Sequence, residues 1–105
     1  MSDLFASEGA PATDVGLTLQ AESLALQGKL HEALDLLLEW ATPEDFPISF
    51  LYGCALRIRL WREDEALAAL ESSIDALPTE LRAKADELRD RARFKAASRP
   101  PWTEV

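Results

Sequence analysis

Apolar positions along this chain recur at the spacing of helices. Leu17, Ala21, Leu24 and Ala25 share one face and predict a first helix over about residues 15–27, with Thr13 or Asp14 offering the N-cap oxygen. Gly28 follows directly, and a glycine ends a helix cheaply because it accepts positive φ. Leu30, Ala33, Leu34, Leu37, Leu38 and Ala41 repeat the i, i+3, i+4, i+7, i+8 pattern of a second amphipathic helix, which stops near Thr42 and Pro43. So short a link requires the two helices to run antiparallel. A third helix is expected over about 47–60, with Asp45 as its candidate cap and Pro47 in its first turn. Phe50, Leu51, Cys54, Ala55 and Ile58 would form its inner face, flanked by Arg57 and Arg59.

Trp61 and Arg62 form the next tight link. The acidic run Glu63, Asp64, Glu65 then stands where a helix N-terminus favours negative charge. Ala66, Leu67, Leu70, Ile74 and Leu77 carry a fourth helix until Pro78 ends it, and Thr79 is placed to cap a fifth over 80–97. The apolar positions of this last helix, Leu81, Ala85, Leu88, Ala92 and Ala96, are regular but small. Glu80 with Lys84 and Glu87 with Arg91 are spaced to pair on its solvated side. Residues 1–14 read as a flexible lead-in with Leu4 and Phe5 as its large apolar side chains. Residues 98–105, interrupted by Pro100 and Pro101, read as an extended tail. A single helical domain over 15–97 lies between them.

The two helix pairs resemble one another. Gln27–Leu34 aligns with Leu60–Leu67, a shared Glu-Ala-Leu lies 33 residues apart, and at this offset Ala21 falls on Cys54, Leu37 on Leu70 and Leu24 on Arg57. A period of 33 with two helices per unit marks stacked helical hairpins. On these residues the chain resembles the tetratricopeptide repeat family. Gly28 and Ala33 match its turn glycine and small second-helix residue, Cys54 and Ala66 its small positions in the second unit, and Pro78 its terminal proline. Leu30 replaces its turn aromatic, Trp61 its second turn glycine, and Asp45 stands where the first terminal proline would be. The resemblance covers residues 15–78 and implies an all-α fold of two antiparallel helical hairpins with residues 79–97 as a C-terminal capping helix. A plain bundle of four or five helices is the alternative.

The same resemblance implies a short concave groove lined by the first helix of each unit, with Leu17, Gln20, Leu24, Phe50, Gly53 and Arg57 as its candidate lining. Small acidic proteins of this kind are similar to cytosolic adaptors and chaperones of bacterial secretion systems. The expected function is a noncatalytic protein-interaction module that holds a helical or extended segment of another protein in that groove. A structural subunit of a larger homo- or hetero-oligomer, held through Trp102 in the tail or through the basic fifth helix docking on a neighbour's acidic hairpins, is the competing expectation, so self-association stays open.

Charge narrows the partner. The 105 residues carry 11 Lys and Arg against 19 Asp and Glu, a net charge of -8. Residues 1–80 hold four basic and fifteen acidic groups, residues 81–105 seven and four. An acidic body repels phosphate backbones and anionic membranes and favours a basic or amphipathic protein segment over nucleic acid. No stretch approaches the ~20 apolar residues of a membrane span, which argues against insertion. The lone Cys54 and an acidic start without a leader pattern fit the cytoplasm.

Catalytic chemistry finds little footing. His31 with Asp35 gives only two potential metal ligands, and Cys54 with His31 would need an exposed thiol. The four glycines, Gly9, Gly16, Gly28 and Gly53, are scattered and make no phosphate loop. No catalytic residue, metal or cofactor is therefore expected.

Overall fold

The computed structural model describes residues 13–98. It is all-helical: α1 (Asp14–Leu26), α2 (Leu30–Trp40), α3 (Pro47–Arg59), α4 (Glu63–Ser73), a 3₁₀ turn (Ile74–Ala76) and α5 (Thr79–Ala97). The starts and ends of α1 and α3, and those of α2 and α4, are each 33 residues apart. The chain divides into two compact units at the Gly53–Cys54 bond, inside α3. Thr13 and Asp14, assigned to the lead-in, belong to the first helix and its cap, and the rest of that segment lies outside the described residues.

In the first unit α1 packs against α2. Leu17, Ala21, Ala33, Leu34, Leu37 and Leu51 are buried there, while Leu24 and Ala25 are half-buried and Leu38 faces out. The structure uses both cap candidates, Thr13 and Asp14, at different helices. Thr13 caps α1, its Oγ1 accepting from Gly16 N at 2.9 Å. A Cβ at position 16 would lie 2.9 Å from the same oxygen, so a larger residue there would need the Thr13 side chain to shift. Asp14 instead reaches the start of α3, where its two carboxylate oxygens accept from Ile48 N at 2.7 Å and Ser49 N at 2.8 Å. Asp45 was expected in that role. It lies in the preceding turn, donating its own N–H to Thr42 Oγ1 at 3.1 Å. Pro47 opens α3 without an N–H to satisfy, so the first two amides that need an acceptor are the ones Asp14 serves.

The two interhelical links are the same turn built twice. After α1, Gly28 N donates to Ala25 O and Lys29 N to Leu24 O, with Gly28 at φ 84°. After α3, Trp61 N donates to Ile58 O and Arg62 N to Arg57 O, with Trp61 at φ 62°. Both are Schellman closures, which require a left-handed residue at this point. A tryptophan there costs about 1–2 kcal/mol relative to glycine.

In the second unit α4 packs against α5, and Cys54, Leu56, Ile58, Ala66, Leu70, Leu77, Ala85, Leu88 and Ala92 are buried. Lys95 of α5 offsets the strain at Trp61. Its Nζ sits 4.1 Å from the Trp61 ring centroid and donates to the carbonyl of Ile58 in the last turn of α3. One ammonium thus meets an aromatic face and the negative end of a helix together.

The fourth helix is shorter than its apolar spacing predicts. It gives way to the 3₁₀ turn after Ser73, and Leu77 is extended at φ -79°, ψ 146°, because a residue before proline is disfavoured in the helical region. Arg82 then ties this corner, donating to the carbonyls of Leu77 and Asp75. Thr79 is the first helical residue of α5, and Pro78 occupies the cap position without a side-chain bond. On α5 the ion pair of Lys84 is with Glu87, at 3.2 Å, rather than with Glu80. At the start of α4 the acidic run divides: Glu63 is fully buried, whereas Asp64 and Glu65 are exposed.

Replacing Asp14 by alanine is expected to lower stability by about 1–2 kcal/mol, with asparagine in between and Asp45→Ala within about 0.5 kcal/mol of the parent. Urea denaturation of the three variants checks the assignment of the cap. For the second turn, a double-mutant cycle on Trp61→Gly and Lys95→Met should show a coupling of about 0.5–1 kcal/mol, with Trp61→Gly alone close to neutral as strain relief offsets the lost contact. A coupling indistinguishable from zero would remove the cation–π account.

Candidate functional site

The expected partner-binding residues occupy different environments. Leu17, Gln20 and Leu24 share one face of α1, but that face grades from core to solvent: Leu17 is 0% exposed, Leu24 half-buried and Gln20 exposed. Leu17 is therefore a core residue and not part of a lining. Gly53 is likewise buried, and a Cβ placed on it would be 3.6 Å from Leu37 Cβ, so it belongs to the packing of α3 on α2. Phe50 is half-buried one step after the amides that Asp14 caps. Trp102 lies outside the described residues. Of the expected binding residues in the first unit, Gln20, Leu24 and Phe50 keep surface to offer.

A polar cluster unforeseen from the residue pattern holds α1 beside the start of α3. Ser49, 0% exposed, has its Oγ 2.8 Å from Thr18 Oγ1 and 3.0 Å from Asp14 O, and Thr18 Oγ1 is also 3.0 Å from Asp14 O. Two hydroxyl protons serve these three contacts, so one hydroxyl donates to the carbonyl while the other donates to its neighbour. Together with the Asp14 cap this fixes the first turn of α3 against the first turn of α1, and so places Phe50 relative to Gln20 and Leu24. The only hint in the chain was a surplus cap ahead of α1.

Arg57 lies in the second unit, and the neighbour it finds is a thiol. Its Nη1 donates to Cys54 Sγ at 3.8 Å, while its Nε is buried with no hydrogen-bond partner among the described residues. Burial pushes the Cys54 thiol up from an ordinary 9.0 to about 11, against the smaller opposing pull of the Arg57 charge and its hydrogen bond. A thiol so held is protonated at neutral pH and a poor nucleophile. His31 is exposed in the first turn of α2. Among the described residues no three His, Cys, Asp or Glu side chains gather as a metal site, and no helix is long and apolar enough to cross a membrane.

Charge separates the two units. Residues 13–53 carry seven carboxylates and one lysine, whereas residues 54–98 carry nine acidic and nine basic groups. The acidity of the described chain is thus a property of the first unit alone. Any partner drawn by charge would be drawn there.

Because the folded thiol ionises at higher pH than the unfolded one, its contribution to stability is complete below pH 9 and falls away as pH rises toward 11. The stability difference between the parent and Cys54→Ala is expected to be constant below pH 9 and to narrow by about 2 kcal/mol by pH 11. Urea titrations at pH 7, 9, 10 and 11 measure it.

Compared with known proteins, the chain matches no protein-family model, no curated protein and no solved structure.

Proposed function

We propose that this protein is a noncatalytic interaction module, and that each 33-residue unit is a helical hairpin of tetratricopeptide type. The observation that carries this reading is the recurrence of helix ends and of the Schellman turn at one fixed offset. Repeated helix pairs of this kind serve as scaffolds that present side chains to other proteins. The contact face is assigned to Gln20 and Leu24 of α1 and Phe50 of α3, held together by the Asp14, Thr18 and Ser49 cluster. Arg57, expected on the same face, is left out because it belongs to the second unit. The partner is a helical or extended protein segment with basic residues, since the first unit is acidic and attracts such a segment before contact.

The test is to isolate the tagged protein from its native host at low salt, identify the co-purifying chain and measure its affinity for the parent and for a Gln20→Arg, Phe50→Ala variant. A partner of fixed stoichiometry that loses about tenfold or more in affinity supports the reading. Undiminished affinity in a variant whose circular dichroism is unchanged rules out this face.

A further inference from the structure

Helix α1 is apolar on two sides. Leu17 and Ala21 are buried, yet Val15, Leu19 and Leu26 are 57%, 58% and 83% exposed. At 100° per residue these three fall together on the side of α1 opposite Leu17, and Glu22 falls with them. Residues 15, 19, 22 and 26 follow steps of four, three and four, the spacing of a heptad seam, and run for ~16 Å along the helix. An exposed stripe with this spacing has the form of one half of a helix–helix contact.

Glu22 identifies the other half. Covering the stripe would strip water from a carboxylate set between Leu19 and Leu26, which is costly unless the covering helix supplies a cation. A second copy of this chain docked through the same stripe would bring another Glu22 and another acidic first unit. The first twelve residues of the chain hold Asp3 and Glu8 and no Lys or Arg, so they supply no cation either. We propose that the outer stripe of α1 docks one α-helix of another protein, with apolar residues at heptad spacing and a Lys or Arg in register with Glu22. The inference rests on the interaction-module reading but concerns a different face of α1 from Gln20 and Leu24.

The probes are two synthetic helical peptides of about 21 residues, long enough to cover the stripe. They carry the same leucine seam, with either Lys or Glu at its central position, and their binding to the full-length protein is followed by fluorescence anisotropy. The parent is expected to bind the Lys peptide at least about tenfold more tightly than the Glu peptide, and Glu22→Lys to invert that preference. Leu19→Ser with Leu26→Ser should weaken the Lys peptide about tenfold or more. Both side chains are exposed, so the helical spectrum of this variant should be unchanged.

Equal affinity for the two peptides, a preference that Glu22→Lys fails to invert, or undiminished binding by the serine variant each overturns the proposal. So does a parent dimer that Leu19→Ser dissolves, which assigns the stripe to a second copy. Binding that tightens about tenfold in a Leu4→Ser, Phe5→Ser variant assigns it to the chain's own start and overturns it equally. Loss of the peptide in Phe50→Ala alone, with the stripe variant unaffected, overturns this inference and leaves the other face standing.

Discussion

A carboxylate at the first residue of α1 completes the first turn of α3. Asp14 accepts from the amides of Ile48 and Ser49, more than thirty residues away, and the hydroxyls of Thr18 and Ser49 close the space beneath it. Helix termini are where backbone groups lack partners, so a terminus capped by another helix is positioned by it as well. The apolar contacts of the first unit, Leu17 and Ala21 on one helix and Ala33, Leu34 and Leu37 on the other, are non-directional. Two short, charge-assisted hydrogen bonds are directional. They set the register in which Phe50 follows α1, and the proposed contact face depends on that register.

In the second unit the corresponding constraint is the turn at Trp61. A Schellman closure fixes φ at its left-handed residue whatever the side chain, so the geometry that Gly28 adopts freely is imposed on Trp61 at a cost. Lys95 meets that cost by stacking over the indole and binding the carbonyl of Ile58. The position where the repeat departs from its pattern is thus the position where α5 is anchored. The same bond also opposes the dipole of α3 at its C-terminus.

Helix number and the tight links were legible in the residue pattern, because 3.6-residue periodicity and Gly28 are local signals. What escaped had non-local causes. Asp14 looked like a spare cap for its own helix, and nothing near Asp45 showed that the distant carboxylate would take its place. Leu56 and Ser49 were missed as buried residues because α3 is apolar on most sides, and periodicity names a single face only when the opposite one is polar. Pro78 was foreseen as the stop, yet α4 already ends at Ser73 and passes into a 3₁₀ turn, which closes at Leu77 because a residue before proline is held extended. Leu17 was placed on a lining although its position at i-4 from Ala21 marks it equally well as core.

The two apolar sides of α1 and the unequal charge of the two units bear on each other. A helix that buries one stripe has no folding reason to keep a second exposed, since each exposed leucine lowers solubility without adding stability. Acidic side chains around the stripe resolve part of this. With seven carboxylates against one lysine in residues 13–53, two copies of the first unit repel before their leucines can meet. The same field raises the local concentration of a basic helix and leaves the stripe available to it. Charge on this protein therefore acts chiefly on what the exposed leucines encounter, while the hydrogen-bonded helix ends determine where those leucines stand.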